Sequence, residues 1–168
     1  PNTNKPLHLG HVRNMALGLN ALVLTTEGTW NVAMGYAACT GNTTGVGNVG
    51  IGYETLFTAA TQDNNVAIGY QALRASSSGT NTAVGAKALN ASTTGDANTG
   101  VGRQALLSLT EAANCVGIGQ NALVFTTTGG NNTAVGATAL QTNVTGTGNV
   151  GIGYAAGKYT VGSNEFYI

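Results

Sequence analysis

The sequence predicts a mainly β fold, a repetitive parallel β-solenoid or β-roll of about ten coils. A pentapeptide, Asn-[Val/Thr]-[Ala/Gly]-aliphatic-Gly, recurs nine times at a spacing of 17 residues, with a single spacing of 16. A period near 17 is too short for helix-pair repeats and fits one coil of a β-solenoid. The chain has 26 Gly but is 42% hydrophobic and holds only two Pro, which indicates periodic order rather than a disordered linker.

Two positions of the pentapeptide are nearly invariant, and we predict that both form structural rows. Asn at the entry suits a turn and can stack in a hydrogen-bonded ladder. The closing Gly takes a positive φ or lets the chain turn without a Cβ clash. The asparagine row is Asn14, Asn31, Asn48, Asn65, Asn81, Asn98, Asn132 and Asn149, with Cys115 substituting once. The glycine row is Gly18, Gly35, Gly52, Gly69, Gly85, Gly102, Gly119, Gly136 and Gly153.

Alternation within the pentapeptide predicts a short strand with two different faces. Val49 and Ile51 share one face, and the residue between them is Ala or Gly in every copy. Because no larger side chain occurs there, we expect another part of the backbone to approach that face closely. The segment after each glycine, as in YQAL, is either a second strand or a short helical turn, and Ala and Leu slightly favour the turn.

Composition excludes several classes of partner and cofactor. Six basic and six acidic residues give a net charge of zero, so no basic stripe exists for nucleic acid. No segment approaches the ~20 apolar residues that span a bilayer. Cys39 and Cys115 lack metal-type spacing and are expected to be small, buried or half-buried fillers, and we predict no metal and no cofactor. Since the chain starts at Pro1 without an initiator Met, we expect a fragment.

Tyrosines directly follow the row glycine in several coils, and they are the candidate binding residues. On a solenoid, Tyr36, Tyr53 and Tyr70 would stack into an aromatic strip. The strip is either a carbohydrate-binding surface or a cover for the edge of the core, and the cover is the favoured interpretation.

Catalysis would require two carboxylates held close together. Glu54 and Asp63 share a stretch of sequence, but both are expected to be solvated. We therefore predict no catalytic residues and no enzymatic activity.

The repeats NNVAIGYQAL, NNTAVGATAL and GNVGIGYAAG resemble two groups of fibrous proteins. One is the head of trimeric autotransporter adhesins, which fold into a trimeric left-handed parallel β-roll. The other, which fits more closely, is the Thr/Asn/Gly-rich repeat of bacteriophage tail fibres, where segments like the terminal SNEFYI end an array. The resemblance implies an intertwined or side-by-side homotrimer in an extracellular or virion fibre. Its alternative implication is an adhesin that binds a cell-surface glycan or receptor.

The first fourteen residues, PNTNKPLHLGHVRN, resemble the signature of class I aminoacyl-tRNA synthetases, especially the arginyl enzymes. In that family His8 and His11 would contact ATP. That site also needs a later lysine-containing loop and a βαβ unit, and neither follows here. A synthetase fragment is thus a remote alternative, and we divide the chain into a tail or cap at 1–12 and one solenoid domain at 13–168.

Overall fold

The computed structural model describes residues 14–168. The predicted tail at 1–12, with His8 and His11, lies outside the described residues. Ten short strands follow one another along the chain. They are β1 (Asn14–Leu17), β2 (Asn31–Met34), β3 (Val49–Ile51), β4 (Val66–Ile68), β5 (Thr82–Val84), β6 (Thr99–Val101), β7 (Val116–Ile118), β8 (Thr133–Val135), β9 (Val150–Ile152) and β10 (Phe166–Tyr167).

All ten strands form one parallel sheet in sequence order, each paired with the same segment of the next coil. This confirms the predicted solenoid of about 17 residues per coil. The 16-residue spacing leaves the register intact, because Val66 still pairs with Thr82 and Ile68 with Val84. The missing residue is therefore absorbed in the loop that precedes β5.

The strands bury their small residues and turn their larger ones outward. Ala67 and Ala83 are fully buried, whereas Val66 is half-buried and Ile68 is exposed. A Cβ added at Gly50 would lie 2.5 Å from the sulfur of Cys39. A close approach to the Ala/Gly face is therefore confirmed, but the nearest atoms at Gly50 belong to side chains of the segment after the row glycine, so the expectation that backbone approaches there is wrong.

That segment is neither a strand nor a helical turn, so the slight preference for a helical turn is wrong. Its second and fourth residues are left-handed, as at Glu54 (φ 50°) and Leu56 (φ 48°). The Glu54 N–H donates to the Tyr36 carbonyl of the previous coil (2.9 Å), and the Leu56 N–H donates to the Ala72 carbonyl of the next (3.3 Å). Alternating peptide orientations thus bond the segment to both neighbouring coils, which a helical turn would not do.

The core is a single column of side chains between the strands and this segment. A leucine four residues after the row glycine fills it in most coils, and these leucines are fully buried: Leu56, Leu73, Leu89, Leu106, Leu123 and Leu140. Cys39 and Gly157 stand at the same position. Both cysteines are free and buried, as predicted, and burial raises the pKa of Cys39 to about 12.

Three departures from the repeat, in the ninth and tenth coils, close this end of the core. Tyr167 stands where other coils have Ala or Gly, and Gly157 leaves space for its ring, since a Cβ there would lie 2.5 Å from that ring. Glu165 stands at the asparagine position and accepts hydrogen bonds from the hydroxyls of Tyr167 (2.7 Å) and Thr160. A carboxylate cannot donate onward as an amide does, so the asparagine row ends here.

We expect the Glu165 carboxylate to make this closing coil sensitive to acid. Hydrogen bonds from Thr160 and Tyr167 lower the pKa of Glu165 below its ordinary value of 4.5. The stabilisation is therefore fully present above pH 4.5 and is lost as the pH falls through the lowered pKa of the folded state. Thermal unfolding midpoints between pH 3 and pH 6 would show a steeper acid loss for the wild type than for Glu165→Gln.

Other carboxylates also titrate in this range, so the difference between the two proteins is the informative quantity. Asp96→Asn, in an exposed loop, is the matched control and should follow the wild-type profile. Parallel profiles for the wild type and Glu165→Gln would contradict the prediction.

Candidate functional site

The candidate site is the tyrosine strip, formed by Tyr36, Tyr53 and Tyr70. The ring centroids of Tyr36 and Tyr53 are 5.2 Å apart and those of Tyr53 and Tyr70 are 5.4 Å apart, with interplanar angles of 13°. The predicted stack is confirmed. Because Tyr53 has a ring on either side, it offers solvent its edge and hydroxyl rather than a free face.

Backbone hydrogen bonds between coils set the spacing of these rings. The Gln71 N–H donates to the Tyr53 carbonyl (2.8 Å), as the Glu54 N–H does to Tyr36. Each tyrosine therefore stands directly above the previous one, separated by about the 4.8 Å of adjacent parallel strands. The three rings remain 42–49% exposed, so the strip forms an aromatic surface along one corner of the solenoid.

An ion pair lies beside the strip. The Arg74 Nε donates to the Glu54 Oε2 (2.8 Å), and the Gln71 amide donates to the same oxygen (3.0 Å). Arg74 also lies over the ring of Phe57, 5.0 Å from its centroid. The hydrogen bonds from Arg74 and, to a lesser extent, Gln71 lower the pKa of Glu54. A hydrogen bond between Tyr53 and Glu54 raises the pKa of Tyr53.

The structure does not assemble a carboxylate pair from the two candidates. The Glu54 side chain is only 15% exposed, so its interpretation as solvated is wrong. Asp63 is exposed and accepts a hydrogen bond from the Val46 N–H (2.7 Å). It lies in a groove formed by the loops of neighbouring coils, whose lining includes Thr61 and Asp96. Within residues 14–168 no three His, Cys, Asp or Glu side chains cluster as metal ligands would.

The asparagine row is a continuous internal scaffold beneath this surface. The Asn81 amide nitrogen donates to the Gly95 carbonyl (3.0 Å), and its oxygen accepts from the Asn98 N–H (2.9 Å). The same two bonds to the following coil recur along the row, whose internal members are 2% exposed or less. The predicted ladder is confirmed. In it, each asparagine side chain is hydrogen-bonded to backbone groups of the following coil.

Cys115 interrupts this row. Its N–H still donates to the Asn98 amide oxygen (2.9 Å), and its thiol lies 3.4 Å from the Gly129 carbonyl. Burial raises the pKa of the thiol, and the neighbouring N–H groups of Asn132 and Asn131 partly oppose that rise. A neutral thiol is a weak acceptor, so the Asn132 N–H is poorly satisfied at this coil.

We expect Cys115→Asn to stabilise the solenoid. The new amide would accept from the Asn132 N–H and donate to the Gly129 carbonyl, as the other asparagines do. Satisfying one buried N–H contributes about 1 kcal/mol, which corresponds to a rise of about 2–4 °C in the unfolding midpoint. Differential scanning calorimetry would measure it.

Cys39→Asn is the matched control, because Cys39 stands in the leucine column. An amide there would be buried without the row's partners, so we expect destabilisation. If Cys115→Asn also lowered the midpoint, the proposed role of the row at this coil would be wrong.

A second surface, the outward strand face, runs along the whole solenoid. It consists of the first and third residues of each three-residue strand and their equivalents in the other strands. Along it, Met15, Leu17, Ile68, Ile118 and Ile152 are 36–55% exposed. Alternation predicted two strand faces but did not show that the larger residues would be the outer ones.

In the described part of the chain no helix is present that could cross a bilayer. Neither family models, nor curated proteins, nor solved structures match the chain.

Proposed function

We propose that this chain is a structural, non-enzymatic segment of an extracellular or virion fibre, in which it assembles as a homotrimer. The observation that carries the proposal is the outward strand face, which is apolar and unpartnered in the single chain.

The composition of the outward strand face supports burial against another chain. Its residues are Val, Ile, Met, Leu, Thr and one Phe in β1–β10, without a charged side chain. A sheet face in water ordinarily carries polar residues. Ten strands about 4.8 Å apart give a stripe roughly 45 Å long, and contiguous apolar stripes of that size typically mark an interface.

The remaining surface suits the shaft of a fibre. Only 7% of residues are charged, and the loops are rich in Thr, Ser, Asn and Gly. The solenoid lengthens by one strand spacing per coil, and among residues 14–168 no three potential metal-ligating side chains cluster. A rod of stacked coils with few charged residues suits a spacer role outside the cell.

The mass in solution tests the assembly. Light scattering coupled to size exclusion is expected to give three times the chain mass of 16.7 kDa. In Ile68→Glu with Ile118→Glu, two charges on the outward strand face should yield a monomer with an unchanged circular dichroism spectrum. Thr94→Glu, at an exposed loop position, is the control and should remain a trimer. A monomeric wild type would overturn the homotrimer.

The alternative is a carbohydrate or receptor-binding module that uses the tyrosine strip and the variable loops. The exposure of the three rings favours it, whereas their face-to-face stacking favours a cover over the core edge. Replacing Tyr53 and Tyr70 by Ala should abolish glycan or cell binding if the alternative is right, and unchanged binding would reject it. The remote synthetase alternative is tested by calorimetry with ATP. If the chain does not bind ATP, that alternative is rejected.

A further inference from the structure

The tyrosine strip ends abruptly at Tyr70, and its end differs from its middle. The equivalent residue of the next coil is Ala86, and that of the coil beyond is Arg103. Tyr70 therefore stacks on Tyr53 on one side only. Tyr70 is 49% exposed, and the other face of its ring is on the side of Ala86.

Backbone hydrogen bonds hold these three positions in line. The Lys87 N–H donates to the Tyr70 carbonyl (2.8 Å), and the Gln104 N–H donates to the Ala86 carbonyl (2.9 Å). Tyr70 and Arg103 are thus two coil spacings apart, about 9.6 Å. Ala86, the residue between them, contributes only a methyl group, so the space between the Tyr70 and Arg103 positions, called the slot below, holds no larger side chain of this row.

The slot is positively charged. Arg103 is exposed, and its side-chain hydrogen bond goes to the neutral amide of Gln104 (3.4 Å). Lys87 directly follows Ala86, the residue at the floor of the slot. Among residues 14–168 the single ion pair is that between Arg74 and Glu54, so neither Lys87 nor Arg103 is paired with a described carboxylate.

We propose that the slot formed by Tyr70, Ala86, Lys87 and Arg103 binds a carboxylated pyranose, the class that includes uronic and sialic acids. A saturated sugar ring at mid-slot lies about 4.8 Å from either wall, which is contact distance for its C–H groups on the negative face of Tyr70. Its carboxylate meets the planar fork of Arg103, which suits that group, with Lys87 close by.

Another place in the same row provides an internal comparison. Tyr154 also faces an alanine, Ala137, and the residue beyond it is Gln120. The position equivalent to Lys87 is Thr138. This second slot repeats the aromatic wall and the small floor without a cation, so it should not select an acidic sugar.

Isothermal calorimetry of the full chain with trigalacturonic acid and with N-acetylneuraminic acid tests the proposal, with neutral galactotriose as the reference. At least one acidic probe should bind about tenfold or more tightly than the neutral one, the worth of one charge-assisted hydrogen bond. Tyr154→Ala should leave that binding unchanged. Failure of both acidic probes to bind the wild type would overturn the proposal.

Two variants separate a slot from simple charge attraction. Arg103→Gln removes the carboxylate partner. Ala86→Tyr keeps every charge but extends the stack into the slot. Both should weaken binding about tenfold or more, with unchanged circular dichroism and unchanged mass. Binding that is lost in Arg103→Gln but retained in Ala86→Tyr would reject the slot. None of these results depends on the fibre proposal, which the mass in solution tests separately.

Discussion

Replacing Gly85 by Ala is expected to destabilise the solenoid strongly. Gly85 lies in the middle of the glycine row at φ +131°. A Cβ there would be 2.6 Å from the Gly102 carbonyl oxygen and 2.7 Å from its carbon. Both atoms are backbone and cannot rotate away, so the two coils would have to separate.

The expected loss has two parts. A side chain at this φ costs on the order of 1–3 kcal/mol of backbone strain, and crowding against a neighbour adds roughly 1–3 kcal/mol. The sum is about 2–6 kcal/mol, a large part of the stability of an ordinary domain. Urea denaturation followed by circular dichroism would measure the free energy of unfolding.

Gly153→Ala is a control that separates the two parts. Gly153 has nearly the same φ, +124°, but the nearest atom to an added Cβ is 3.9 Å away. Only the strain should remain, and the loss should be clearly smaller than at Gly85. Equal losses at the two glycines would show that crowding between coils contributes nothing.

Removing the Asn81 amide is the second change with a large expected effect. Asn81→Ala leaves the buried Asn98 N–H without its acceptor, whereas the Gly95 carbonyl loses its amide donor but keeps the hydroxyls of Ser78 and Ser92. Each unsatisfied buried group costs about 1–3 kcal/mol. We expect the free energy of unfolding to fall by roughly 1–3 kcal/mol, again measured by urea denaturation.

Two further variants define which bond matters. Asn81→Asp keeps an acceptor for the Asn98 N–H but cannot donate to Gly95, and it buries a charge, so it should not rescue stability. Thr94→Ala, at an exposed loop position of the adjoining coil, should change stability by less than about 0.5 kcal/mol. A loss at Asn81→Ala as small as at Thr94→Ala would contradict the role of the row.

The coil and its two rows could be predicted because each depends on a property of one residue type. Gly85 and Asn81 recur at fixed spacing, and few side chains can replace them where backbone stacks on backbone. The left-handed segment was missed because Leu56 has a high helix propensity. A usable signal was present in Gly157 and Asn121, which stand at the left-handed positions of their coils and are residue types that tolerate positive φ.

The candidate site was predictable only in part. Spacing alone placed Tyr53 and Tyr70 on one strip. The bond between Glu54 and Arg74 was not visible, because the two residues are 20 apart in sequence and meet only when their coils stack. Burial of Glu54 depends on those contacts. Likewise, alternation separated Val66 and Ile68 from Ala67 but could not say which side enclosed the core.

The direction of the hydrogen bonds between coils has a mechanical consequence. Strand pairing and both rows point along the solenoid, so tension applied from end to end loads the coils one after another rather than shearing them together. Force would therefore peel one coil at a time from an end of the stack. Each released coil adds 17 residues of slack, about 58 Å at full extension. In the proposed homotrimer, burial of the outward strand face against neighbouring chains would resist such peeling.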